Sequence, residues 1–431
     1  MFTDYQETLN FLYTNLPMFQ RIGAAALKPD LSNTIALCKT LGEPQKKFKS
    51  IHVAGTNGKG STSHMLASIL QSAGYRTGLY TSPHLKSFTE RVKIDGAEIR
   101  QEYVIDFVNK IYPQIEKLKP SFFEITVALA FDYFAHDKVD VAVIEVGLGG
   151  GLDSTNVITP VVSVITNIGW DHTDLLGDTL EKIASEKAGI IKGGIPVVIS
   201  ERQPEVEHVF EEKALALGSP ISFAADRFDA KANEEKGVVS FDIFENGTSL
   251  FKNLSLPLQG SYQEKNLPGV LETVRTLNLQ GWSITPGSIR QGLEEVVATT
   301  GLKGRWQVLG RQPLVVCDTG HNLDGMKEVV RQIQRQDYRK LFFILGMVTG
   351  KDISSILTLL PEDAYYFFCQ ANIPRALDAA TLLKHARANN LVGEIVTDVN
   401  DAIRAAKNVA TPEDMIFVGG STYVVAEIDG L

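Results

Sequence analysis

The chain contains 431 residues, and 42 Lys and Arg against 51 Asp and Glu give it a formal net charge of −9. Because domains usually contain about 100–200 residues, this length predicts two or three of them, and 44% hydrophobic with 22% charged residues excludes a disordered or collagen-like chain. The acidic balance disfavours a nucleic-acid partner, since binding phosphates along a strand requires a basic surface.

Short apolar runs alternate with helical patterns in the first half of the chain. Strands are predicted at residues 50–54, 78–81, 139–146, 161–166 and 195–200. Helices are predicted between them, at residues 61–73 with the apolar side chains on one face, and at residues 123–134. Nearly continuous apolar strands are typical of a parallel sheet covered on both faces, so the pattern predicts an α/β fold.

The pattern changes after residue 221. Alternating runs and a turn signal between Ser222 and Leu258 predict a small antiparallel patch, and the polar stretch Ala298–Gly304 predicts an interdomain linker. Further strands are predicted at residues 313–317, 341–345, 364–369 and 415–418. We therefore expect two α/β domains of unequal size, at residues 1–299 and 300–431.

The cysteines and the N-terminal residues bear on the compartment. Cys38, Cys317 and Cys369 are far apart and form no CxxC pair, which favours a reducing compartment over a disulfide framework. The first ten residues are acidic and unlike a signal peptide, and no apolar run approaches the about 18 residues that a membrane span needs. We expect a cytoplasmic protein without a membrane partner. The most basic run, Gln45–Lys49, is interpreted as a solvated face.

The segment Gly55–Ser61 (GTNGKGS) joins a predicted strand to a predicted helix. Glycines allow backbone N–H groups to surround phosphate oxygens, the helix N-terminus adds donors, and Lys59 adds a positive charge. The spacing departs from G-x-x-x-x-G-K-[ST], because Gly60 separates Lys59 from Ser61. The alternative is a tight turn with a solvated lysine. The strand–loop–helix context favours nucleotide binding.

Polar residues follow the other predicted strands. Glu145 lies at the end of a buried strand, where a carboxylate is costly unless it is paired or binds a cation such as Mg²⁺. A carboxylate that caps backbone N–H groups is the alternative. His172 follows the strand at residues 161–166 and is expected at the same sheet edge, where ligands of α/β sheets bind. Periodicity alone would make Lys187 a solvated helix residue.

Motifs in the same order along the chain resemble the folylpolyglutamate synthase/dihydrofolate synthase family, which belongs with the Mur-type amide ligases. They are Gly55–Ser61, Tyr80–Pro83, Phe122–Thr126, Glu145–Gly150, Leu152–Asn156, Asp171–His172, Glu186–Lys192, Gly260–Asn266, Gly304–Arg305, Asp318–Asn322 and Gly419–Tyr423. The resemblance implies a P-loop, Mur-ligase-like parallel-sheet domain with the antiparallel patch, followed by a Rossmann-like C-terminal α/β domain.

The resemblance also implies roles for individual residues. The residues that it places on ATP are Thr56, Asn57, Gly58, Lys59, Gly60, Ser61, Asn266, Arg305, Asp318 and His321. The implied ligands of Mg²⁺, expected as two ions, are Ser82, Glu145 and His172. Lys187 corresponds to a lysine that is carbamylated in the family, and the implied catalytic residues are Lys59, His172, Lys187 and Arg305. The implied contacts to the pterin-bearing substrate are Phe122, Phe123, Glu124, Asp153 and Ser154.

The chain departs from the family pattern at several positions. Gly151 stands where the family usually has arginine, and Lys303 stands where a proline often precedes Gly-Arg. Thr319, Gly320 and Leu323 differ from the usual D-G-A-H-N-P. Because the catalytic positions are retained, we expect these departures to affect substrate preference more than reaction type.

The implied reaction is ATP-dependent addition of L-glutamate to dihydropteroate, to folate (poly)glutamates, or to both, through an acyl phosphate that yields ADP and phosphate. The expected partners are these small molecules, and the expected state is a monomer. A muramyl-peptide ligase is disfavoured because about 50 residues precede the loop, too few for the extra domain such enzymes carry. Another Mur-type amino-acid ligase and a non-catalytic ATP-binding homologue remain as alternatives.

Overall fold

The computed structural model describes residues 1–23, 30–235, 238–350 and 352–431. The strands in these ranges are β1 (Lys49–Ala54), β2 (Thr77–Tyr80), β3 (Val92–Ile94), β4 (Ala97–Glu98), β5 (Val141–Glu145), β6 (Val162–Ile165), β7 (Val197–Ile199), β8 (Ile221–Phe223), β9 (Phe228–Glu235), β10 (Val238–Glu245), β11 (Thr248–Leu254), β12 (Gln307–Arg311), β13 (Leu314–Cys317), β14 (Leu341–Leu345), β15 (Tyr365–Phe368), β16 (Val392–Ile395) and β17 (Met415–Gly419).

The helices in the same ranges are α1 (Tyr5–Asn15), α2 (Phe19–Ile22), α3 (Ser32–Thr40), α4 (Lys59–Ser72), α5 (Gln101–Leu118), α6 (Phe122–His136), α7 (Thr173–Leu176), α8 (Leu180–Ala188), α9 (Glu207–Leu217), α10 (Gln263–Leu279), α11 (Pro286–Glu294), α12 (Val296–Thr300), α13 (Leu323–Gln334), α14 (Ile353–Leu357), α15 (Ala379–Arg387), α16 (Val399–Val409) and α17 (Thr422–Glu427). Within the described ranges, no helix is long and apolar enough to cross a bilayer.

The first sheet has the strand order β4-β3-β2-β5-β1-β6-β7-β8, with β1 near its centre. Strands β2, β5, β1, β6, β7 and β8 are parallel, and the β3–β4 hairpin adds an antiparallel edge. Val53 on β1 lies opposite Glu145 on β5 and Val164 on β6. The polar segments that follow these strands therefore meet at one edge of the sheet.

Helix α4, which follows the phosphate loop, is enclosed by the fold. The predicted helix is confirmed, and its residues from Gly60 to Leu70 are all buried, so its polar side chains are covered as well as its apolar ones. A Cβ added to Gly292 of α11 would lie 2.5 Å from the Cα of Ile69, which shows how closely α11 approaches. The loop is therefore built on an element that is fixed by packing.

The predicted antiparallel patch is confirmed as a three-stranded sheet of order β11-β10-β9. Its predicted start at Ser222 was wrong, because β8 pairs in parallel with β7 and belongs to the first sheet. The predicted patch includes Lys236 and Gly237, which lie outside the described residues. The buried faces of the patch pack with α10 and α4 in one apolar core.

The third sheet has the strand order β12-β13-β17-β14-β15-β16, with β12 antiparallel at one edge. Its inner strands were predicted, and apolar cores lie on both of its faces. The predicted linker begins too early, because Ala298, Thr299 and Thr300 belong to α12. The predicted α/β fold, with a parallel sheet followed by a second α/β unit, is confirmed.

Candidate active site

The phosphate loop is held open by its neighbours at the carboxyl edge of the first sheet. Gly55 and Gly58 have φ angles of +146° and +84°, which L-residues with a side chain rarely adopt. The backbone N–H groups of Thr56 and Asn57 donate to the carbonyl oxygen and the side-chain oxygen of Asn167, each at 2.9 Å. The segment after β6 thus shapes the loop before any nucleotide binds.

Two lysines point at the carbonyl side of the loop. Lys59 Nζ donates to the carbonyl oxygens of Gly55 and Thr56 at 2.9 and 3.0 Å, and Lys187 Nζ donates to that of Gly55 at 2.9 Å. Burial lowers the pKa of both amines, and for Lys187 burial together with the charge of Lys59 lowers it to about 7. Lys187 is therefore a buried amine with a lowered pKa and not the solvated residue that periodicity suggested.

Glu145 lies beside these lysines at the end of β5. Its side chain is buried, and its Oε2 accepts a hydrogen bond from the backbone N–H of Ser82 at 3.2 Å. Burial raises the pKa of this carboxyl, while the charge of Lys59 acts in the opposite direction. The carboxylate is thus aimed at the loop, where a cation would stabilise its charge.

The segment after α12 brings a second set of side chains to the loop. A Cβ added to Gly60 would lie 3.3 Å from an Nη atom of Arg305 and 3.7 Å from Oε1 of Glu145, so both groups stand over the start of α4. Asp318, at the end of β13, accepts from Tyr262 Oη at 2.6 Å and from the backbone N–H of Trp306 at 2.7 Å. These bonds fix the position of the segment that carries Arg305.

Asn57 and Asn322 join the loop directly to the second α/β unit. Each side-chain amide donates to the oxygen of the other, at 3.2 and 3.0 Å. Asn322 Oδ1 also accepts from the backbone N–H of Gly325, which caps helix α13. Asp171 lies nearby, with its Oδ2 3.7 Å from Nε2 of His172 and 3.8 Å from Nε2 of His321.

These groups line a first cavity of about 320 Å³ between the two units. Every residue that was predicted to bind ATP or metal or to act in catalysis lines this cavity: Thr56, Asn57, Gly58, Lys59, Gly60, Ser61, Ser82, Glu145, His172, Lys187, Asn266, Arg305, Asp318 and His321. The structure brings these residues together, and their individual roles remain predictions.

A second cavity of about 360 Å³ adjoins the first. It is lined by every residue that was predicted to contact the pterin-bearing substrate: Phe122, Phe123, Glu124, Asp153 and Ser154. The two cavities share Ser82, the Gly147–Gly149 turn, His172 and His321. The carboxyl groups of Glu124 and Asp153 serve as helix caps, accepting from the backbone N–H groups of Ser121 and Thr155 at 2.6 and 3.0 Å.

Some residues at the site were not singled out from the sequence. Asn167 and Tyr262 position the loop and Asp318, and Arg91 lines the second cavity. Asn167 directly follows a predicted strand, and Tyr262 lies inside the motif Gly260–Asn266, so both had a sequence signal. Arg91 had no such signal, because one arginine does not stand out among 42 basic residues. What distinguishes it is its burial in the folded chain.

A phosphate loop on a parallel sheet, with an arginine supplied from a second α/β unit, defines a Mur-type ligase. The family model for the Mur ligase middle domain matches residues 53–274, and that for the Mur ligase glutamate ligase domain matches residues 304–422. Within that class, the chain belongs to the folylpolyglutamate synthase/dihydrofolate synthase family. It is an ATP-dependent ligase.

Relatives and solved structures cover nearly the whole chain. The folylpolyglutamate synthase of Lacticaseibacillus casei is 34% identical over 99% of this chain and 98% of its own length. The dihydrofolate synthase/folylpolyglutamate synthase of Bacillus subtilis is 33% identical over 99% of each. The Mycobacterium tuberculosis folylpolyglutamate synthase complexed with ADP superimposes with a TM-score of 0.87 at 29% identity, over 98% of both chains. Escherichia coli FolC in complex with DHPP and ADP superimposes with a TM-score of 0.85 at 29% identity, over 98% of this chain and 96% of its own.

Replacing Gly58 with alanine should damage the loop for two reasons, the positive φ angle at this position and a clash of the added methyl group. An added Cβ would lie 2.2 Å from Oδ1 of Asn266, whose amide is itself held by Gln263 at 2.7 Å. We expect Gly58→Ala to raise the KM for ATP at least about tenfold. Gly74→Ala is the matched control, because its φ is +86° and nothing lies within 4 Å of the added atom. Equal KM values for ATP in the two variants would contradict the predicted clash between the added Cβ and Asn266.

Proposed function

We propose that this enzyme adds L-glutamate to dihydropteroate, to folate (poly)glutamates, or to both, with one site for ATP and an adjoining site for the pterin-bearing carboxylate. The observation that carries the proposal is that the phosphate-loop cavity opens beside an apolar, aromatic cavity along Ser82, the Gly147–Gly149 turn and His172. A carboxylate presented from the second cavity would meet the terminal phosphate of a nucleotide in the first.

The reaction we propose has two steps. The substrate carboxylate attacks the γ-phosphoryl group of ATP and forms an acyl phosphate with release of ADP; the α-amino group of glutamate then displaces phosphate and forms the amide, losing a proton. In the first step the protein positions the reactants and neutralises charge. Lys59 and Arg305 are the proposed cations for that step. Arg305 comes from the second α/β unit, so its contribution depends on how that unit is docked.

We propose that Mg²⁺ accompanies ATP at Ser82, Glu145 and His172. The donor set fits a hard cation, since the carboxylate of Glu145 is buried, faces the loop and forms no ion pair within 4 Å among the described residues. No three His, Cys, Asp or Glu side chains of the described ranges form a metal centre by themselves. Phosphate oxygens and water would complete the shell. When bound, the ion would neutralise phosphate charge.

We propose that Lys187 is carbamylated in the active enzyme. A neutral amine attacks CO₂, forms a C–N bond and releases a proton, and a pKa of about 7 leaves a large part of this amine neutral at physiological pH. The product is a carboxylate on a long arm beside Gly55 and Lys59, where it could order water or a cation. Desolvation, the main cause of the lowered pKa, thus supports the modification.

Lys187→Ala is expected to lower kcat by about 100-fold, because the variant lacks the modified side chain beside the loop. Added acetate or formate should restore part of the rate by occupying the vacated space. Lys182→Ala is the control, since Lys182 lies on the same helix and its Nζ pairs with Asp178 at the surface. Full activity without added acid would contradict the catalytic role, and loss without rescue would contradict carbamylation.

A substrate panel tests the function itself. The purified protein would be given ATP, Mg²⁺ and L-glutamate with dihydropteroate, tetrahydrofolate or tetrahydrofolate monoglutamate, and ADP release would be measured. We expect ADP release that depends on both glutamate and a pterin substrate and that stops on chelation of the metal. Release with none of the pterin substrates would contradict the proposal and favour another Mur-type ligase or a non-catalytic homologue.

We further propose that the chain divides near residue 300 into domains 1–299 and 300–431, and that the protein is a cytoplasmic monomer without nucleic-acid partners. The first two sheets end at Leu254, and the third begins at Gln307. The three cysteines are free and buried, which supports a reducing compartment. Sedimentation of the purified protein tests the monomer, where a dimer mass would contradict it.

A further inference from the structure

Arg91 is a buried cation at the second cavity, and no carboxylate of the described residues forms an ion pair with it. Arg91 is only 3% exposed to solvent, and it lines the wall of that cavity. Nε donates to Nδ1 of His84 at 2.7 Å, so that imidazole accepts and is neutral; burial, with the charge of Arg91, lowers its pKa to about 3. Across the described ranges, no carboxylate oxygen lies within 4 Å of this guanidinium, and neither Nη atom has a hydrogen-bond partner in them.

The two buried carboxylates of the cavity, Glu124 and Asp153, form no ion pair with Arg91. Glu124 and Asp153 accept hydrogen bonds from backbone N–H groups and cap helical turns. The second arginine of the cavity, Arg375, differs, because its two Nη atoms donate to the carbonyl oxygens of Phe19 and Thr349. A guanidinium that lines a cavity, and whose Nη atoms have no partner among the described residues, can take an anion from that cavity. The feature therefore indicates a site for an anionic group.

The position of Arg91 in the fold indicates which anion would bind to it. Its carbonyl oxygen accepts from the backbone N–H of Thr81 at 3.0 Å, directly before Ser82, where the two cavities meet. Its guanidinium lies 5.3 Å from the centroid of the Phe122 ring, a wall of the second cavity. An aromatic acid seated against Phe122 would therefore place its carboxylate beside Arg91 and close to the phosphate loop.

We infer that Arg91 binds the reacting carboxylate of the pterin-side substrate and holds it for attack on ATP. This inference rests on the proposed function. The planar guanidinium presents paired N–H donors that match a carboxylate. Its guanidinium also lies against the ring of Phe122, and this contact limits where those donors can point. Arg91 is thus a residue that distinguishes an acid from its neutral analogues.

The test compares pteroate with its carboxamide, which has the same shape and no charge. Binding of each would be measured by calorimetry to the ADP-bound wild-type protein, to Arg91→Gln and to Arg91→Lys. We expect the wild type to prefer the acid by about 10- to 100-fold. Arg91→Gln should bind both alike, and Arg91→Lys should lose several-fold of the preference, since an ammonium cannot form two parallel bonds.

Arg76→Gln and Arg76→Lys are the matched controls, because Arg76 is exposed and pairs with Asp137. They should retain the wild-type preference. If the melting curve shows that Arg91→Gln does not fold, the preference of Arg91→Lys for pteroate over its carboxamide decides the test. A wild-type preference for the acid in either folded Arg91 variant would overturn the inference. If the wild-type protein releases no ADP with pterin substrates and glutamate, the proposed function fails instead, so the two failures are distinct.

Discussion

Lys59→Ala should lower the rate of ADP release that depends on pterin substrate and glutamate by about 1,000-fold. Phosphoryl transfer is catalysed chiefly by positioning and by neutralising charge, and loss of one well-placed donor costs about 10²–10³ in rate. Lys59 also holds the carbonyl groups of Gly55 and Thr56, so the variant loses loop geometry as well as charge. The two losses act on the same step, and kcat should fall more than the KM for the pterin substrate rises.

The control for this variant is Lys39→Ala, which removes a lysine from the last turn of α3. It should leave the rate unchanged. Circular dichroism and a melting curve would show that Lys59→Ala is folded. A folded Lys59→Ala protein with a near wild-type rate would contradict the assignment of this loop as the phosphate site.

Arg305→Ala should reduce kcat by about 100- to 1,000-fold, because the variant removes the cation that the second α/β unit places over Gly60. Arg305 Nη1 also donates to the carbonyl oxygen of Gly304 at 3.2 Å and to Thr319 Oγ1, so its side chain is oriented before ATP binds. Arg305→Lys should recover part of the rate, since it restores a charge without the planar donor pair.

Arg311→Ala is the matched control, because Arg311 lies on the exposed edge strand β12 a few residues further along the chain. Single-turnover measurement of acyl-phosphate formation separates the chemical step from product release. A fall in product release with no change in that first step would contradict the role of Arg305 in phosphoryl transfer.

The parts of the fold that could be predicted are those whose sequence reports burial. The strand at residues 139–146 is nearly all apolar, and β5 occupies its centre at Val141–Glu145 with every residue buried. The edge strands β12 and β16 were not predicted, since Val392 and Ile395 of β16 are exposed and its pattern is mixed. An edge strand gains pairing from one side, so its side chains carry a weaker signal.

The same distinction applies to the site. The loop Gly55–Ser61 is contiguous, and its glycines and lysine can be interpreted from their order alone. The bond between Asn57 and Asn322 joins positions 265 residues apart, and no local pattern reports it. Periodicity alone made Lys187 a solvated helix residue, whereas in the folded chain its Nζ donates to the carbonyl oxygen of Gly55. Contacts of this kind depend on the packed fold.

The paired amides of Asn57 and Asn322 couple the affinity for nucleotide to the docking of the second α/β unit on the loop. The bonds form when the second unit sits on the loop, and the same loop surrounds the phosphates. By thermodynamic reciprocity, whatever factor docking adds to the affinity for ATP, bound ATP adds to the stability of docking. An isolated N-terminal unit would retain the glycines and the lysine and still bind nucleotide more weakly, because part of the binding free energy resides in the neighbour that it lacks.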